Sequence, residues 1–248
     1  MPRRRTSSLV VSRRKGVWTL TLVLADGRLS EEVHAALIAA CGEIDLDEEA
    51  RLVVVKSRGS AFALGDDATV TMESPDGIAA VGRLRVPSMA ILAGDALDAG
   101  LELALACDLR LAASSARMGL TQLETGQLPR HGGTQRLPRI VGPAVAARLL
   151  FFGEQLRARA ALDAGLVHRV CRRETLATET RKLVVSVASR APLAQRLAKE
   201  TLRAAGDLPL AEGLRLEGDL YVLLQTTADH QEGVASFLGK RSARFRGR

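Results

Sequence analysis

The sequence predicts an α/β fold whose strands pair largely in parallel. Apolar runs of strand length, RLVVVKS at 51–57, SMAILAG at 88–94 and DLRLAAS at 108–114, alternate with segments whose apolar residues recur at helical spacing. Crossover connections satisfy such an alternation. Composition agrees, since 248 residues with 47% hydrophobic and 25% charged content can build one large core.

The elements follow in order. Leu9–Val11 and Val17–Leu24 read as strands, and SRRKG between them turns at Gly16 into an opening β-hairpin. Ser30 is placed to cap a helix running to about residue 45, with Glu31 and Glu32 in its first turn and Val33, Leu37, Cys41 and Ile44 at helical spacing. Residues 68–84, interrupted by Ser74, Pro75, Asp76 and Gly77, read as a mobile loop and short helix. Strong helix formers fill Ala99–Cys107, with Asp98 available as N-cap and Gly94 and Gly100 loosening the entry. PAVAARLLFFG at 143–153 and RARAALDAG at 157–165 read as helices, and LVHRVC at 166–171 as a strand. Helices follow at 174–189, 192–205, 209–227 and from Asp229, whose spacing to Glu232 is that of a capping box.

Chemistry concentrates between Gly94 and Arg136. Glu102 lies inside the apolar run LELALAC, in the first turn of its helix. One reading is that the acid only complements the helix dipole. The other is a proton-transferring carboxylate beside an oxyanion site made by free helix N–H groups.

Four segments together resemble the crotonase (enoyl-CoA hydratase/isomerase) superfamily: AFALGDD at 61–67, GDALDAGLELALACDLRLAA from Gly94, LPRHGGTQRLPRIVG at 128–142 and ALDAGLV at 161–167. A similar tail, FLGKRSARF at 237–245, closes the match, whose order and spacing extend over nearly the whole chain. The resemblance implies a ββα spiral core over 1–190 and a C-terminal helical region over 191–248 for oligomerisation and active-site cover. It implies a thioester oxygen held by two backbone N–H groups, from Leu64 and Ala99, and Glu102 as principal acid/base. Ala61, Ala63, Gly65, Asp66 and Asp98 would border the acyl-CoA. Lys240, with Arg241 and Arg244, would reach the CoA phosphates, against the alternative of a disordered basic tail.

The chain departs from the family pattern at several places. ADGRLS replaces the Asn-Ala-Leu type of segment before the first helix, Leu64 replaces a small residue, and Asp98-Ala99-Gly100 replaces a Gly-rich entry. In ARMGLTQLETG the register puts Gln122 where hydratases carry a second catalytic acid. A neutral amide orders water or a carbonyl but moves no proton at neutral pH. Glu124, two residues on, would share Gln122's side of an extended segment. Arg130 and His131 stand where relatives have small residues. His131 either supplies the missing acid/base chemistry or is bonded to backbone or solvent, and Arg130 faces either a substrate carboxylate or Glu124.

The net charge is +7 and the pI near 10.0, so a phosphate-bearing ligand suits the chain, unless the arginines are simply solvated surface. Aromatics are only 3%, too few for single-strand stacking platforms, which disfavours nucleic acid relative to coenzyme A. Cys41, Cys107 and Cys171 are scattered and odd in number, as expected of buried thiols in a reducing compartment. His34, His168 and His230 read as isolated, with no metal-ligand spacing. No run reaches the roughly 18 apolar residues of a bilayer span, and MPRRRTSS has no signal-peptide core behind it, so a cytoplasmic location is expected.

The expected activity is therefore that of a cofactor-free acyl-CoA enzyme of hydratase/isomerase type, assembled as a homotrimer or dimer of trimers. The Leu-rich 209–227 helix, apolar on more than one face, supports the assembly. Alternatives are a hydrolase or decarboxylase of a specialised acyl-CoA, and a non-catalytic scaffold or RNA binder.

Overall fold

Leu52–Ser57 carries apolar side chains on both faces and is accordingly a central strand, paired in parallel on either side. The computed structural model describes residues 4–5 and 8–248, so part of the MPRRRTSS segment lies outside the described residues. In chain order the elements are β1 (Arg4–Arg5), β2 (Leu9–Arg14), β3 (Val17–Leu22), α1 (Glu31–Asp45), β4 (Leu52–Ser57), α2 (Gly77–Arg83), β5 (Ser88–Leu92), β6 (Ala96–Leu97), α3 (Ala99–Ala106), β7 (Leu109–Ala113) and β8 (Arg117–Gly119). A 3-10 turn (Gln122–Thr125) precedes α4 (Gly133–Phe151), β9 (Leu156–Arg157), α5 (Ala158–Asp163), β10 (Arg169–Cys171), α6 (Arg173–Ala188), α7 (Pro192–Ala204), α8 (Leu210–Gln225) and α9 (Ala228–Leu238).

The larger sheet runs β1-β2-β3-β4-β5-β7-β10. The hairpin β2–β3 is antiparallel, and the pairs from β3 to β10 are parallel, as the alternation of elements requires. A smaller sheet, β6-β8-β9, stands beside it. One face of the large sheet packs on α1 to α5 through Leu20, Leu22, Val53, Val55, Ala90 and Leu92, while Leu52, Val54, Met89 and Leu111 meet α6 on the other. Ser30 caps α1 as expected, accepting from the Val33 N–H at 3.3 Å.

The helix that carries Glu102 is fixed at its C-terminal end by a buried cation. Arg110, 5% exposed, donates to the carbonyls of Cys107 (2.6 Å) and Ala104 (3.4 Å) on α3 and of Leu166 (2.6 Å) before β10. Burial lowers its pKa, which the neighbouring Cys107 and Asp108 side chains partly offset. Ala104 O keeps the Cys107 N–H, so Arg110→Met would strand two buried acceptors, Cys107 O and Leu166 O, and we expect a loss of about 2 kcal/mol or more by chemical denaturation, at roughly 1–3 kcal/mol per orphaned group.

The C-terminal helices fall close to expectation, but two details differ. Thr227, not Asp229, caps α9, accepting from the His230 N–H; Asp229 is buried and accepts from the N–H groups of Arg246 (2.6 Å) and Gly247 (2.7 Å). Glu232 is paired with Arg241 at 2.6 Å and accepts from the Arg244 N–H, so the basic tail is folded back on α9 rather than free. Helix α7 is tied to the core by Lys199, which donates to Val86 O at 2.7 Å and pairs with Asp108 at 2.6 Å. Helices α8 and α9 leave Leu210, Leu214, Val222, Phe237 and Leu238 exposed beside a cavity of about 530 Å³ between α7, α8 and α9.

Candidate active site

Glu102 is 1% exposed, and its carboxylate is held by main-chain groups from a distant part of the chain. Its Oε1 accepts from the N–H groups of His131 (2.8 Å) and Gly133 (2.7 Å), and its Oε2 accepts from Gln122 Nε2 at 3.3 Å. Glycine at 133 allows this approach, since a Cβ would lie 2.9 Å from Pro129 Cβ and 3.0 Å from Glu102 Oε1. Burial raises the Glu102 pKa, and the two N–H bonds and the nearby His131 only partly oppose it. A carboxyl whose pKa is raised is better suited to taking and returning a proton.

The loop at 61–67 is zipped on one edge to residues 27–29. Leu64 N–H donates to Gly27 O at 2.7 Å, Leu29 N–H to Gly65 O at 2.8 Å and Asp67 N–H to Leu29 O at 2.9 Å. This corrects the expectation for Leu64, whose amide is already used. Successive N–H groups of an extended segment point to opposite edges, so the same pairing turns the Asp66 N–H the other way. That edge faces β6, where Ala63 bridges Ala96 and Ala63 O accepts from Leu97 N–H at 2.9 Å, and β6 leads directly into α3. Ala99, first residue of α3, also presents an N–H with no partner among the described residues, as does Asp66. Close approach is enforced at Gly100, where a Cβ would lie 2.1 Å from Ala63 O. The sequence motif located the loop, but only pairing with residues 27–29 selects Asp66 over Leu64.

Two nearby acids and one amide are accounted for individually. Asp98 takes the N-cap position of α3 at φ 51°, ψ −124°, but makes no capping bond; its carboxylate accepts from Thr121 N–H at 2.6 Å and Thr121 Oγ1 at 3.1 Å. That bonding keeps a non-glycine residue in a conformation costing on the order of 1–3 kcal/mol. Glu124 does not share Gln122's side, because Gln122–Thr125 is a 3-10 turn rather than extended, and its Oε1 packs at Gly153. Gln122 therefore stands alone beside Glu102, and its own Oε1 is buried without a hydrogen-bond partner.

His131 and His34 are not isolated. Both are buried, with rings stacked at 5.0 Å between centroids and planes 25° apart. His131 Nε2 lies 2.9 Å from Asp66 Oδ2, and its Nδ1 lies 3.0 Å from Asp76 Oδ1, within ion-pair range though off the hydrogen-bond angle. His34 accepts from Gly77 N–H at Nδ1 (3.1 Å) and so donates from Nε2 to Asp66 Oδ1 (3.1 Å). Burial alone would lower the His131 pKa, but Asp66 and Asp76 outweigh it and hold the ring protonated to about 9. Burial alone would raise both acids, and the histidine contacts instead bring each to about 2. His34, Asp76 and His131 bring metal-ligating atoms within 4.8 Å of one another, yet the His34 Nδ1 lone pair already serves Gly77. The bonding is that of an ion-paired imidazolium.

Of the remaining expected residues, Ala61 and Ala63 line the inner loop, and Arg130 is exposed and donates to Thr71 O at 2.5 Å, engaging neither Glu124 nor Glu102. Lys240 follows α9, and among the described residues no hydrogen bond or ion pair joins it to Glu102 or its partners.

A largely parallel sheet here sets a buried carboxyl on a helix whose first amide, like that of Asp66, has no partner among the described residues. The family model for enoyl-CoA hydratase/isomerase matches residues 25–248, and the chain belongs to that family. It is 35% identical to the 2,3-dehydroadipyl-CoA hydratase of Escherichia coli K12, over 98% of this chain and 100% of that protein. It is also 35% identical to a probable enoyl-CoA hydratase of Mycobacterium tuberculosis, over 94% of each. The crystal structure of enoyl-CoA hydratase from Bacillus anthracis superposes with a TM-score of 0.92 at 30% identity, covering 98% of this chain and 100% of that one. The crotonase α/β fold and enzyme-family membership expected from the sequence are thereby established. No helix among the described residues is long and apolar enough to cross a membrane.

Proposed function

We propose that the chain adds water to, or shifts the double bond of, an enoyl-CoA, with Glu102 as its single proton-transferring group. The observation that carries this is one buried carboxyl, raised in pKa, next to the unpartnered amides of Asp66 and Ala99. The thioester oxygen accepts from those two amides, which favours the enolate. In hydration the water oxygen bonds to the β-carbon while its proton passes to Glu102, and the C=C electron pair moves to the thioester oxygen. Glu102 then returns the proton to the α-carbon, so one carboxyl closes the cycle. In isomerisation the same carboxyl takes a proton from the α-carbon and returns it at the far end of the allylic system.

The Gln122 Oε1, buried and without a partner, supports a water-ordering role, since a water proton would satisfy it. Coenzyme A fits the basic chain, with Lys240 as a candidate for its phosphates, and a cytoplasmic setting without a cofactor suits this chemistry. The exposed apolar faces of α8 and α9 favour a homotrimer or dimer of trimers, with residues 191–248 forming the association region. Crotonyl-CoA hydration and the allylic shift of a 3-enoyl-CoA, each followed by absorbance, test the reading; absence of both with purified protein contradicts it. Gln122→Glu supplies a second acid, and we expect it to raise hydration by roughly 10-fold or more while leaving isomerisation behind, general acid–base groups being worth about 10²- to 10⁴-fold.

A further inference from the structure

We propose that His131 is a positioning residue that couples the two halves of the site, its ring fixing the segment that supplies the Asp66 amide while its own main-chain N–H fixes Glu102. This rests on the function proposed above. His131 is attached to both halves: the ring lies 2.9 Å from the Asp66 carboxylate, and the His131 N–H donates to Glu102 Oε1 at 2.8 Å. No other residue among those described bonds to both. Further bonds leave the ring and its backbone little freedom. Arg136, on α4, donates to His131 O at 2.5 Å; Asp76, whose Oδ1 also caps α2 through Ala79 N–H at 2.8 Å, flanks Nδ1; His34 on α1 stacks on the ring and shares Asp66.

The consequence is electrostatic as well as geometric. The ionisable groups around the ring are Asp66 from the loop after β4, Asp76 before α2, His34 on α1, Glu102 on α3 and Arg136 on α4. Two carboxylates face the imidazolium, and Asp66, whose main chain carries the oxyanion donor, is one of them. When the ring loses its proton, one ring nitrogen ceases to donate and the clamp on Asp66 or Asp76 weakens. The pKa is raised, so the paired state is complete below the ordinary histidine value and is lost as pH rises through about 9. His131 itself moves no proton in the reaction, because its Nε2 is bonded to the Asp66 carboxylate and its Nδ1 is held in ion-pair range of Asp76.

The test combines turnover with a reporter that needs no turnover. A chromophoric cinnamoyl thioester of coenzyme A red-shifts when its carbonyl is polarised by oxyanion donors, so it reads the Asp66 amide directly. In the wild type we expect a red shift, and a kcat that is level to about pH 9 and then falls. His131→Gln keeps a donor toward Asp66 without charge; it should lower kcat on the order of 10²-fold with KM nearly unchanged, shrink the red shift and remove the alkaline limb. Asp66→Asn keeps the main-chain N–H and should reproduce that defect, and the double variant should be no worse than either single one. Asp76→Asn retains an oxygen for the Ala79 N–H and is half-exposed, so it should fold even if His131→Gln does not; it should move the alkaline limb to lower pH. If the wild type neither polarises nor turns over any acyl-CoA, the proposed function itself fails. If the wild type does both, but Asp76→Asn leaves the alkaline limb in place, or His131→Gln leaves kcat and red shift unchanged, the positioning role is overturned.

Discussion

We expect Glu102→Gln to remove most of the turnover without unfolding the protein. The substitution keeps an oxygen for the His131 and Gly133 N–H groups, and Gln122 can present its carbonyl to the new amide by rotating, so every partner of the side chain is retained. What disappears is the carboxyl at the centre of the site, and we expect kcat to fall roughly 10²- to 10⁴-fold while acyl-CoA affinity holds. Stability should hold or rise. The Glu102 pKa is raised, so at neutral pH its ionised form is penalised in the folded state, and the amide lifts that penalty. A melting curve beside a kcat measurement separates this from simple damage: lost activity with lost stability would contradict the account.

Deleting one hydrogen at Asp66 or Ala99 has the next largest effect. An amide-to-ester replacement keeps each side chain and removes the N–H alone. Neither N–H has a partner among the described residues, so stability should change little, whereas loss of one oxyanion donor costs about 10²- to 10³-fold in kcat. The same replacement at Leu64 makes the opposite pattern, because that N–H donates to Gly27 O. There we expect a loss of about 1 kcal/mol in stability and kcat within a few-fold of wild type. Equal kinetic losses at Leu64 and Asp66 would refute the assignment of the donor.

Much of this site could be read without coordinates. Glu102, Ala99 and the substitution at Gln122 follow from register within local segments, and α3 begins where its helix formers begin. The donor on the 61–67 loop did not follow. Which of two neighbouring amides is free depends on the edge by which the loop pairs with residues 27–29, a contact between segments with no signature in either. Glu124 was misplaced for a local reason, since a 3-10 turn separates residues two apart that an extended strand would align. His34 looked solitary because it lies on α1, and only the packing of α1 against α2 and the 128–133 segment stacks it on His131. Asp98 and Asp66 looked like surplus charge beside an oxyanion site. Each carboxylate is bonded elsewhere, to Thr121 and to the two histidines; the Asp66 N–H has no partner among the described residues, while the Asp98 main chain is bonded to Gly119 O and to the Glu102 N–H.

Hydrogen exchange at the α-carbon of a saturated thioester, butyryl-CoA in deuterium oxide followed by NMR, asks the most direct question. It requires only that two amides hold the carbonyl and one carboxyl take the proton, with no water addition and no double bond to move. Wild-type protein should wash deuterium into the α-position, and the Glu102→Gln variant should not. Butyryl-CoA that binds yet keeps its α-hydrogens, or exchange that continues unchanged without the Glu102 carboxyl, would contradict the account.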